Sequence, residues 1–480
     1  MSGVIKFGTD GWRAIIAEDF TFENVRICAQ AVAEYLKETN DTQRGLIVGY
    51  DTRFLSENFG AAVAEVMAGN GIVAYLCDRP APTPAISWAI LDRKAAGAAI
   101  ITASHNPGIW NGFKYKPDYA GSASPQVVAA LEKHISATQA GKIQVRYIDL
   151  ERAREKGLVR DLDPRPAYLE QVKRLVNVEA IKKAGLTVVV DAMFGAGMGY
   201  FPTLLDDGTT KVIEIHNVRN PLFPGLDHPE PIDHNLKALA QAIAEHKANA
   251  GLATDGDADR IGLMDEQGNF INQLQVYGLL LLYLLEVRGM RGPIIKTVTT
   301  TAMANKLAKL YDLPVYETPV GFKYVGPMMM EKDAIFGGEE SGGFGFKGHI
   351  PERDGIVAGL FLLDLMIRKD MSPSRLVEYL YSLVGPHYYD RIDVHFPPED
   401  RGEVTSRVQS CRCDQIAGLK VLHIDSKDGF KFNLEDGSWL LIRFSGTEPL
   451  IRIYTETTRQ DLVQPILEAG LEIAGLEQDS

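Results

Sequence analysis

The chain of 480 residues contains only four cysteines, Cys28, Cys77, Cys411 and Cys413. Four thiols scattered over this length are too few for a framework of disulfide bonds, so the class of small disulfide-stabilised secreted domains is excluded. Cys411 and Cys413 are separated by a single residue and resemble half of a metal site, but no second pair accompanies them. We therefore expect four ordinary thiols.

Long hydrophobic runs and an excess of basic residues are also lacking. No stretch approaches the roughly 20 apolar residues of a membrane-spanning helix, and the first residues show no charged segment followed by a long apolar one. The 63 acidic residues outnumber the 50 basic ones, which leaves a formal net charge of −13 and argues against nucleic acid or an anionic membrane as partner. We expect a cytoplasmic protein, a monomer or a dimer, whose phosphate sites are locally basic.

The composition, 45% hydrophobic and 24% charged, is that of a soluble enzyme with a large core. Short apolar segments alternate with amphipathic helical ones, which predicts three similar mixed α/β domains at residues 1–150, 164–260 and 261–380. The charged segment 146–165 is interpreted as a linker. Residues 386–480 contain strands joined by short turns, which predicts a C-terminal antiparallel α+β domain. We expect the four domains to surround a central cleft.

The apolar segment 97–101 ends abruptly at the polar sequence TASHNP, residues 102–107. The apolar segment is typical of a buried strand, and Ser104 would project from its carboxyl end, where open α/β sheets hold their ligands. Ser104 is therefore a candidate nucleophile. Serine, asparagine and proline also form ordinary turns, and for this segment alone a turn is the simpler interpretation.

Asp255, Asp257 and Asp259 alternate with small residues, so an extended loop could direct three carboxylates at one cation. Ligation by oxygen alone suits Mg²⁺ or Ca²⁺. The spacing also fits the first positions of an EF-hand calcium loop, but Arg260 stands where that loop needs glycine, and the flanking residues are typical of strands. Three carboxylates leave about one negative charge around a divalent ion, which Arg260 would partly compensate.

Two further segments offer polar groups to a small molecule. In residues 338–343, GEESGG, the side chains of Glu339 and Ser341 can accept hydrogen bonds from sugar hydroxyls, and the glycines allow the backbone to approach closely. Residues 443–449, RFSGTEP, join two strands. One interpretation of that segment is an ordinary hairpin that carries polar side chains. The other is an anion site built from a guanidinium, two hydroxyls and backbone amides, contributed by Arg443, Ser445, Gly446 and Thr447.

Together, the segments 102–107, 255–260, 338–343 and 443–449 resemble the four active-site loops of the α-D-phosphohexomutases. They occur in the family's order and span nearly the whole chain. The resemblance implies that Ser104 carries a phosphoryl group and that Asp255, Asp257, Asp259 and Ser104 hold Mg²⁺. It also implies that the 338–343 loop grips the sugar and that the 443–449 loop holds the phosphate that is not being transferred.

The same resemblance assigns roles to residues that no local pattern distinguishes. Lys114, ten residues after Ser104, matches the lysine to which the family assigns proton transfer, and Arg13 matches an arginine near the phosphoserine. His105 would steady the serine loop. Lys323, grouped with the sugar-binding residues, and Lys296, grouped with the phosphate-binding residues, are further candidates for contacts to the substrate.

The substrate prediction depends on residue 343. Many family members that act on both mannose and glucose phosphates have histidine where this chain has Gly343, which favours a glucose-type enzyme. Residues 321–323 favour it too, although Phe322 replaces a common tryptophan. We predict a phosphoglucomutase that acts through glucose 1,6-bisphosphate and needs a trace of it as activator. A phosphomannomutase or dual-specificity mutase, a glucose 1,6-bisphosphate synthase, a metal-dependent sugar phosphatase and an inactive sugar-phosphate sensor are the alternatives.

Overall fold

A computed structural model of the chain describes residues 5–8, 10–444 and 450–476. The described residues form four sheets, each with its own helices, in the order in which the sequence predicts them. Three sheets contain parallel strands and the fourth is entirely antiparallel, which confirms the predicted fold class. The limits of the four predicted domains stay predictions. No helix of the described part of the chain is long and apolar enough to cross a membrane.

The first sheet has the strand order β1-β5-β4-β2-β3-β6. Its strands are β1 (Trp12–Ile15), β2 (Leu46–Tyr50), β3 (Ala74–Cys77), β4 (Gly97–Ile101), β5 (Trp110–Pro117) and β6 (Val159–Leu162), and its helices are α1 (Phe22–Glu38), α2 (Ser56–Gly69), α3 (Thr83–Arg93), α4 (Pro125–Gln139) and α5 (Leu150–Glu155). Strands β2, β3, β4 and β6 run parallel, whereas β5 and β1 continue the sheet in antiparallel pairs. The prediction of a linker at 146–165 was wrong, because this segment contains α5 and β6, and β6 pairs with β3.

The second sheet has the order β11-β10-β9-β7-β8. Its strands are β7 (Thr187–Asp191), β8 (Lys211–Ile215), β9 (Ala250–Thr254), β10 (Ile261–Met264) and β11 (Phe270–Ile271), and its helices are α6 (Arg165–Leu175), α7 (Val178–Lys182), α8 (Tyr200–Leu205) and α9 (Lys237–His246). Strand β7 pairs in parallel with β8 and β9, and the reversal from β9 to β10 encloses residues 255–260. The aspartate loop is therefore the connection between two buried strands.

The third sheet has the order β13-β12-β14-β15. Its strands are β12 (Ile294–Thr297), β13 (Val315–Thr318), β14 (Phe336–Gly338) and β15 (Phe344–Phe346), and its helices are α10 (Gln273–Leu282), α11 (Met303–Leu310), α12 (Phe322–Lys332), α13 (Gly355–Lys369) and α14 (Pro373–Val384). Asn272 and Gln275 form a capping box at the start of α10, which satisfies two free backbone N–H groups. A π-helical turn, Tyr283–Val287, extends α10.

The fourth sheet has the order β16-β21-β20-β19-β18-β17. Its strands are β16 (Tyr388–His395), β17 (Gln415–Ile416), β18 (Leu419–Asp425), β19 (Phe430–Leu434), β20 (Trp439–Phe444) and β21 (Leu450–Thr457), and its helices are α15 (Arg401–Ser410) and α16 (Val463–Ala474). All neighbouring strands are antiparallel. Residues 445–449, between β20 and β21, lie outside the described residues.

The cores do not divide in the same way as the sheets. The first and fourth sheets each pack their own hydrophobic cluster against their helices. The second and third sheets share one cluster, which joins residues of β7 and β9 to helix α10 and to the buried residues 355–366 of α13. Helix α10 is apolar around its whole circumference because it is enclosed on all sides. The second and third units are thus held together by a continuous core.

Candidate active site

Three polar loops follow the carboxyl ends of strands that lie in the parallel part of their sheets. Ser104 follows β4, Asp255 follows β9, and Glu339 follows β14. Open α/β sheets bind their ligands at these ends. The structure brings the three loops together, and any side chain at Gly256 would place its Cβ 2.4 Å from the carbonyl oxygen of Ser104. This close approach explains the glycine within the aspartate loop.

Ser104 occupies a strained position on its loop. Its backbone has φ 53°, in the left-handed region that few residues other than glycine adopt. The backbone N–H donates to Thr102 Oγ1 at 2.8 Å, and the buried Oγ donates to Asp255 Oδ2 at 2.8 Å. Nδ1 of His105 lies 3.3 Å from the same Oγ. The hydroxyl is therefore aimed at the aspartate loop and held there from both sides.

Arg53 fixes the shape of the serine loop, and no sequence pattern indicated this role. Its fully buried guanidinium donates to four backbone carbonyls of one loop, at 2.6 Å to Ser104, 2.5 Å to Asn106, 2.9 Å to Pro107 and 3.1 Å to Trp110. Nε lies 3.3 Å from the carboxylate of Asp51. A planar fork with several donors suits this arrangement, which a lysine cannot reproduce.

The three aspartates converge as predicted. One carboxylate oxygen from each lies within 4.8 Å of the others, and all three side chains are buried. Asp255 Oδ1 accepts the backbone N–H groups of Asp259 and Arg260, at 3.0 and 3.1 Å. Within the described chain, Asp257 Oδ1 and Asp259 Oδ1 accept no hydrogen bond. Buried carboxylate oxygens without donors are costly, and a hard divalent cation such as Mg²⁺ fits this donor set.

The charges of the three aspartates are balanced unequally. Burial and the charges of Asp259 and Asp257 raise the pKa of Asp255 well above its usual range. Burial also acts against the ionised form of Asp257, but the ammonium of Lys114 and the hydroxyl of Thr83 hold its pKa below the usual value. Closely spaced carboxylates disfavour one another's ionised forms, so the three aspartates depend on nearby positive charge.

Lys114 lies at the centre of a buried network of charges. Its Nζ lies 2.8 Å from both Asp10 Oδ2 and Asp257 Oδ2, and 3.6 Å from Asp259 Oδ2. Burial would lower the pKa of Lys114, but the surrounding carboxylates outweigh it and raise that pKa. Lys114 is therefore an ammonium here. Its position follows from β5, where it faces the cleft beside the antiparallel neighbour β4.

Arg353 joins this network from the start of α13. Its guanidinium lies 2.7 Å from Asp10, 2.9 Å from Asp259, 3.2 Å from Glu352 and 3.6 Å from Glu339. Burial opposes the charge of Arg353, but these carboxylates raise its pKa well above the usual value. Arg353 thus connects the aspartate loop, the N-terminal segment and the 338–343 loop, which is predicted to bind the sugar and is called the sugar loop below.

The sugar loop is shaped by the same arginine. Glu339 Oε1 accepts the N–H of Gly321 at 2.9 Å, while Oε2 faces Arg353. A Cβ at Gly343 would lie 2.2 Å from Arg353 Cδ and 2.7 Å from its Cγ. No side chain, including the histidine of dual-specificity family members, can occupy position 343 while Arg353 stays in place. Ser341 lies in the turn between β14 and β15 and is half-buried.

The remaining residues predicted near the serine are two arginines and a histidine. Arg13 donates to Asn106 Oδ1 at 2.6 Å, so it contacts the serine loop through that amide. Arg260 pairs with Glu230 at 2.5 Å. Burial, followed by the charge of Arg260, lowers the pKa of His105 well below its usual value, so His105 is a neutral ring beside Ser104.

Three other predicted residues have their described contacts outside the serine loop. Arg443 donates to Asp428 Oδ2 at 2.9 Å, and Ser445, Gly446 and Thr447 lie outside the described residues. Nζ of Lys323 lies 5.3 Å from the ring centroid of Tyr324, at the start of α12. Lys296 is buried, and its Nζ lies 3.3 Å from Glu317 and 3.3 Å from the carbonyl of Thr301. An ion pair between the neighbouring strands β12 and β13 of the third sheet therefore already occupies Lys296.

Contacts across the cleft link the sugar loop to the fourth sheet. Glu340 accepts hydrogen bonds from Tyr389, at 2.6 Å, and from Arg391, at 3.1 Å, both on β16. On the other side, Asp428 accepts the N–H of Val320 at 2.8 Å. These contacts hold the fourth sheet against the third.

Models of one protein family match all four parts of the chain. Their descriptions are phosphoglucomutase/phosphomannomutase alpha/beta/alpha domain I at residues 4–142, domain II at 166–268, domain III at 273–384, and the C-terminal domain at 403–472. The matches follow the order of the four sheets.

Known proteins resemble the chain over its whole length. A Thermococcus kodakarensis protein named phosphoglucomutase/phosphomannomutase is 33% identical over 97% of this chain and 98% of the relative. A probable phosphoglucosamine mutase of Methanothermobacter thermautotrophicus is 31% identical over 96% of each chain. A crystal structure from Thermus thermophilus, provisionally assigned as a phosphomannomutase, superposes with a TM-score of 0.86 at 33% identity, covering 99% of this chain and 100% of that one.

Proposed function

Because the chain belongs to the α-D-phosphohexomutase family, whose members move a phosphoryl group within a sugar phosphate, we propose that it is a phosphoglucomutase. It would interconvert glucose 1-phosphate and glucose 6-phosphate through a phosphoserine at Ser104. The observation that carries this proposal is the Ser104 hydroxyl, 2.8 Å from Asp255 in a buried triad of aspartates whose Asp257 is paired with Lys114. A serine, a cation site and a fixed ammonium are the parts that phosphoryl transfer needs.

The proposed reaction has two half-steps. In the first, the bond between phosphorus and Ser104 Oγ breaks while a bond to a hexose monophosphate hydroxyl forms, which yields glucose 1,6-bisphosphate. The sugar hydroxyl loses a proton and Ser104 Oγ gains one. In the second, the bisphosphate has turned over, and Ser104 accepts the phosphoryl group from the other end. A trace of glucose 1,6-bisphosphate would prime any unphosphorylated enzyme.

Each residue around Ser104 has its own role in the proposed phosphoryl transfer. Lys114 is an ammonium, so it donates a proton to the oxygen that leaves, and the amine that remains takes up the proton of the attacking hydroxyl, which restores the ammonium. Mg²⁺ held by Asp255, Asp257, Asp259 and the phosphoryl oxygen of Ser104 would neutralise the developing negative charge. Arg13 and Arg260 would orient the phosphoryl group, and the neutral His105 would steady the loop.

Turning the bisphosphate requires the cleft to open. The sugar loop and the loop that contains Arg443, Ser445, Gly446 and Thr447 must accept two orientations of one ligand. The contacts of Glu340 with Tyr389 and Arg391 close the cleft and must break for the ligand to turn. Domain movements of this kind often accompany turnover.

The choice of sugar depends on the sugar loop's carboxylates. Both are already paired, Glu339 with the Gly321 N–H and Arg353, and Glu340 with Tyr389 and Arg391. An ammonium at C2, as in glucosamine phosphate, would find no free carboxylate there and would meet the positive Arg353. Glucose phosphate is therefore favoured over glucosamine phosphate, and mannose phosphate, which shares O3 and O4 with glucose, is a secondary substrate.

The test is a side-by-side measurement of kcat/KM on glucose, mannose and glucosamine 1-phosphates, with and without glucose 1,6-bisphosphate. We expect the order glucose, mannose, glucosamine. A higher kcat/KM for mannose or glucosamine phosphate would overturn the substrate assignment, and accumulation of free bisphosphate or inorganic phosphate would indicate a synthase or a phosphatase. Mass spectrometry of the serine loop, with Ser104→Ala as the inactive variant and the exposed Ser136→Ala as control, tests the phosphoserine.

A further inference from the structure

A second cleft lies away from the serine loop, where the second and third sheets meet. It has a volume of about 660 Å³ and is lined by the end of α6, the start of α7, the π-helical turn and the last turns of α13. This volume is in the range of small-molecule sites. None of the described residues of the four predicted active-site loops contributes to its lining.

The lining combines positive charge with an apolar floor. Four cations surround the cleft, Lys173 and Arg174 from α6, Arg288 after the π-helical turn, and Arg368 from α13, against only two carboxylates. Tyr283, Val176, Val178 and Val287 provide the apolar surface. The excess of cations in this cleft contrasts with the net charge of −13 of the whole chain. Arginine and lysine at several points of a cleft suit phosphate groups.

The π-helical turn determines which side chains line the cleft. The N–H of Arg288 donates to the carbonyl of Tyr283, five residues earlier, at 3.0 Å. In an α-helix, residues five apart lie about 140° apart around the axis. The wider turn brings Tyr283, Val287 and Arg288 to the same opening, and π-helical turns often occur at functional sites.

Polar contacts already hold the walls of the cleft. Tyr283 OH donates to Asp364 Oδ2 at 2.8 Å, and Arg368 Nε lies 3.2 Å from Asp364 Oδ1. Arg288 donates to the carbonyl of Leu175, so the third unit is joined to the end of α6. Arg368 is thus paired with Asp364, and Lys173 Nζ lies 2.8 Å from Glu170 Oε1 on its own helix. Within the described chain, Arg174 and Arg288 have no carboxylate partner and present their charge to the opening.

We propose that this cleft binds a nucleoside triphosphate as a regulatory ligand. The phosphates would lie among the four cations and the base would lie on the valines. A hexose phosphate would leave most of the volume unfilled and has no flat apolar face for the floor. A single inorganic anion would contact only part of the positive rim.

Two helices connect the cleft to the active site. Asp354, next to Arg353, caps the N-terminus of helix α13, and the last turns of this helix line the cleft. Helix α6 contributes Tyr168, whose hydroxyl lies 2.9 Å from both oxygens of Asp354, and its last residues form the opposite wall. A ligand bridging the ends of both helices would therefore change how firmly Asp354 and Arg353 are held.

Binding is tested with the full-length, magnesium-loaded enzyme by calorimetric titration with Mg-ATP while saturating glucose 1,6-bisphosphate occupies the active site. The variant Arg174→Gln with Arg368→Gln removes two exposed cations of the cleft. We expect it to weaken binding at least tenfold. The matched control, Arg160→Gln with Arg412→Gln, removes the same charge from exposed positions outside the cleft and should bind like the wild type.

Three results would overturn the site: no binding of Mg-ATP at millimolar concentration, equal affinity in the cleft variant, or complete displacement by glucose 1,6-bisphosphate. The regulatory role rests on the proposed function and has its own readout. A saturating concentration of Mg-ATP should change kcat for glucose 1-phosphate at least threefold in the wild type and not in the cleft variant. An unchanged kcat with intact binding would refute the regulation without affecting the proposed mutase activity.

Discussion

Gly343 offers the sharpest test of the sugar loop, because one methyl group there should displace Arg353. In Gly343→Ala the new Cβ would lie 2.2 Å from Arg353 Cδ and 2.7 Å from Cγ. Favourable carbon contacts begin at about 3.5 Å, so the stem must move by more than about 1 Å. The backbone at Gly343 does not have a positive φ, so the steric conflict with Arg353 is the source of the cost.

Moving the stem of Arg353 pulls its guanidinium away from Asp10 and Asp259, which lie at 2.7 and 2.9 Å. Overpacking of this kind costs about 1–3 kcal/mol. Asp259 belongs to the predicted metal site. If its displacement raises the activation free energy by a similar amount, kcat/KM for glucose 1-phosphate falls about 10- to 100-fold. The midpoint of thermal unfolding should fall by several degrees.

The assay compares kcat/KM and the unfolding midpoint in four proteins: wild type, Gly343→Ala, Arg353→Ala and the double variant. In the Arg353→Ala background the arginine stem no longer occupies the space beside residue 343, so Gly343→Ala should change kcat/KM less than twofold. A smaller effect in this background than in the wild type is the result that a double-mutant cycle gives for coupled residues. Gly402→Ala, in a helix with no atom within 4 Å of the new Cβ, is the control and should leave activity unchanged. The reasoning fails if Gly343→Ala is harmless, or if its effect is the same without the Arg353 side chain.

Three other predictions concern single side chains. Arg53→Met should lower the unfolding midpoint strongly, because removing one partner of a buried ion pair costs about 3–5 kcal/mol. Its kcat should fall by a larger factor than its KM rises, and Arg53→Lys should give intermediate values. Wild-type kinetics in the Met variant would contradict the role of Arg53. Asp257→Asn should weaken Mg²⁺ binding at least tenfold in calorimetric titration while circular dichroism stays unchanged; unaltered affinity would exclude Asp257 as a ligand. Burial lowers the pKa of Lys431 to about 8, against about 10.4 in an unfolded chain. Between about pH 8 and about pH 10.4 the folded state therefore binds fewer protons than the unfolded state. The free energy of unfolding rises with pH across that window by about 3 kcal/mol. Lys431→Met should reduce this rise in the unfolding midpoint between pH 7.5 and 10, and an identical pH profile would refute the perturbed lysine.

The parts of the site that were predicted from sequence have local signatures. Ser104 follows an apolar strand and precedes a proline, and Asp255, Asp257 and Asp259 alternate with small residues between two strands. Each pattern places its side chains at a strand end without reference to the rest of the chain. The family resemblance then added Lys114 and Arg13, which lie on β5 and β1 and show no local signature.

The residues that sequence reasoning missed depend on distant partners. Arg353 is an isolated charge before a helix, as many exposed arginines are, and its partner Asp10 lies 343 residues earlier. Arg53 resembles a surface residue until the carbonyls of the serine loop surround it. Strand β6 was mistaken for part of a linker because only Val159 and Leu162 of its four residues are buried, which is the pattern of a polar edge strand.

The burial of Lys114 and Lys116 has a consequence for how the protein folds during synthesis. Both are buried in the first unit, yet among the described residues of that unit only Asp10 forms ion pairs with them. Asp257 and Glu352, which complete their pairing, belong to later parts of the chain. Domains generally fold from the N-terminus as they emerge from the ribosome, and a buried lysine without enough countercharge is costly. The first unit therefore cannot reach its final packing until about residue 353 has been made, and the four sequence modules of this chain are not four independent folding units.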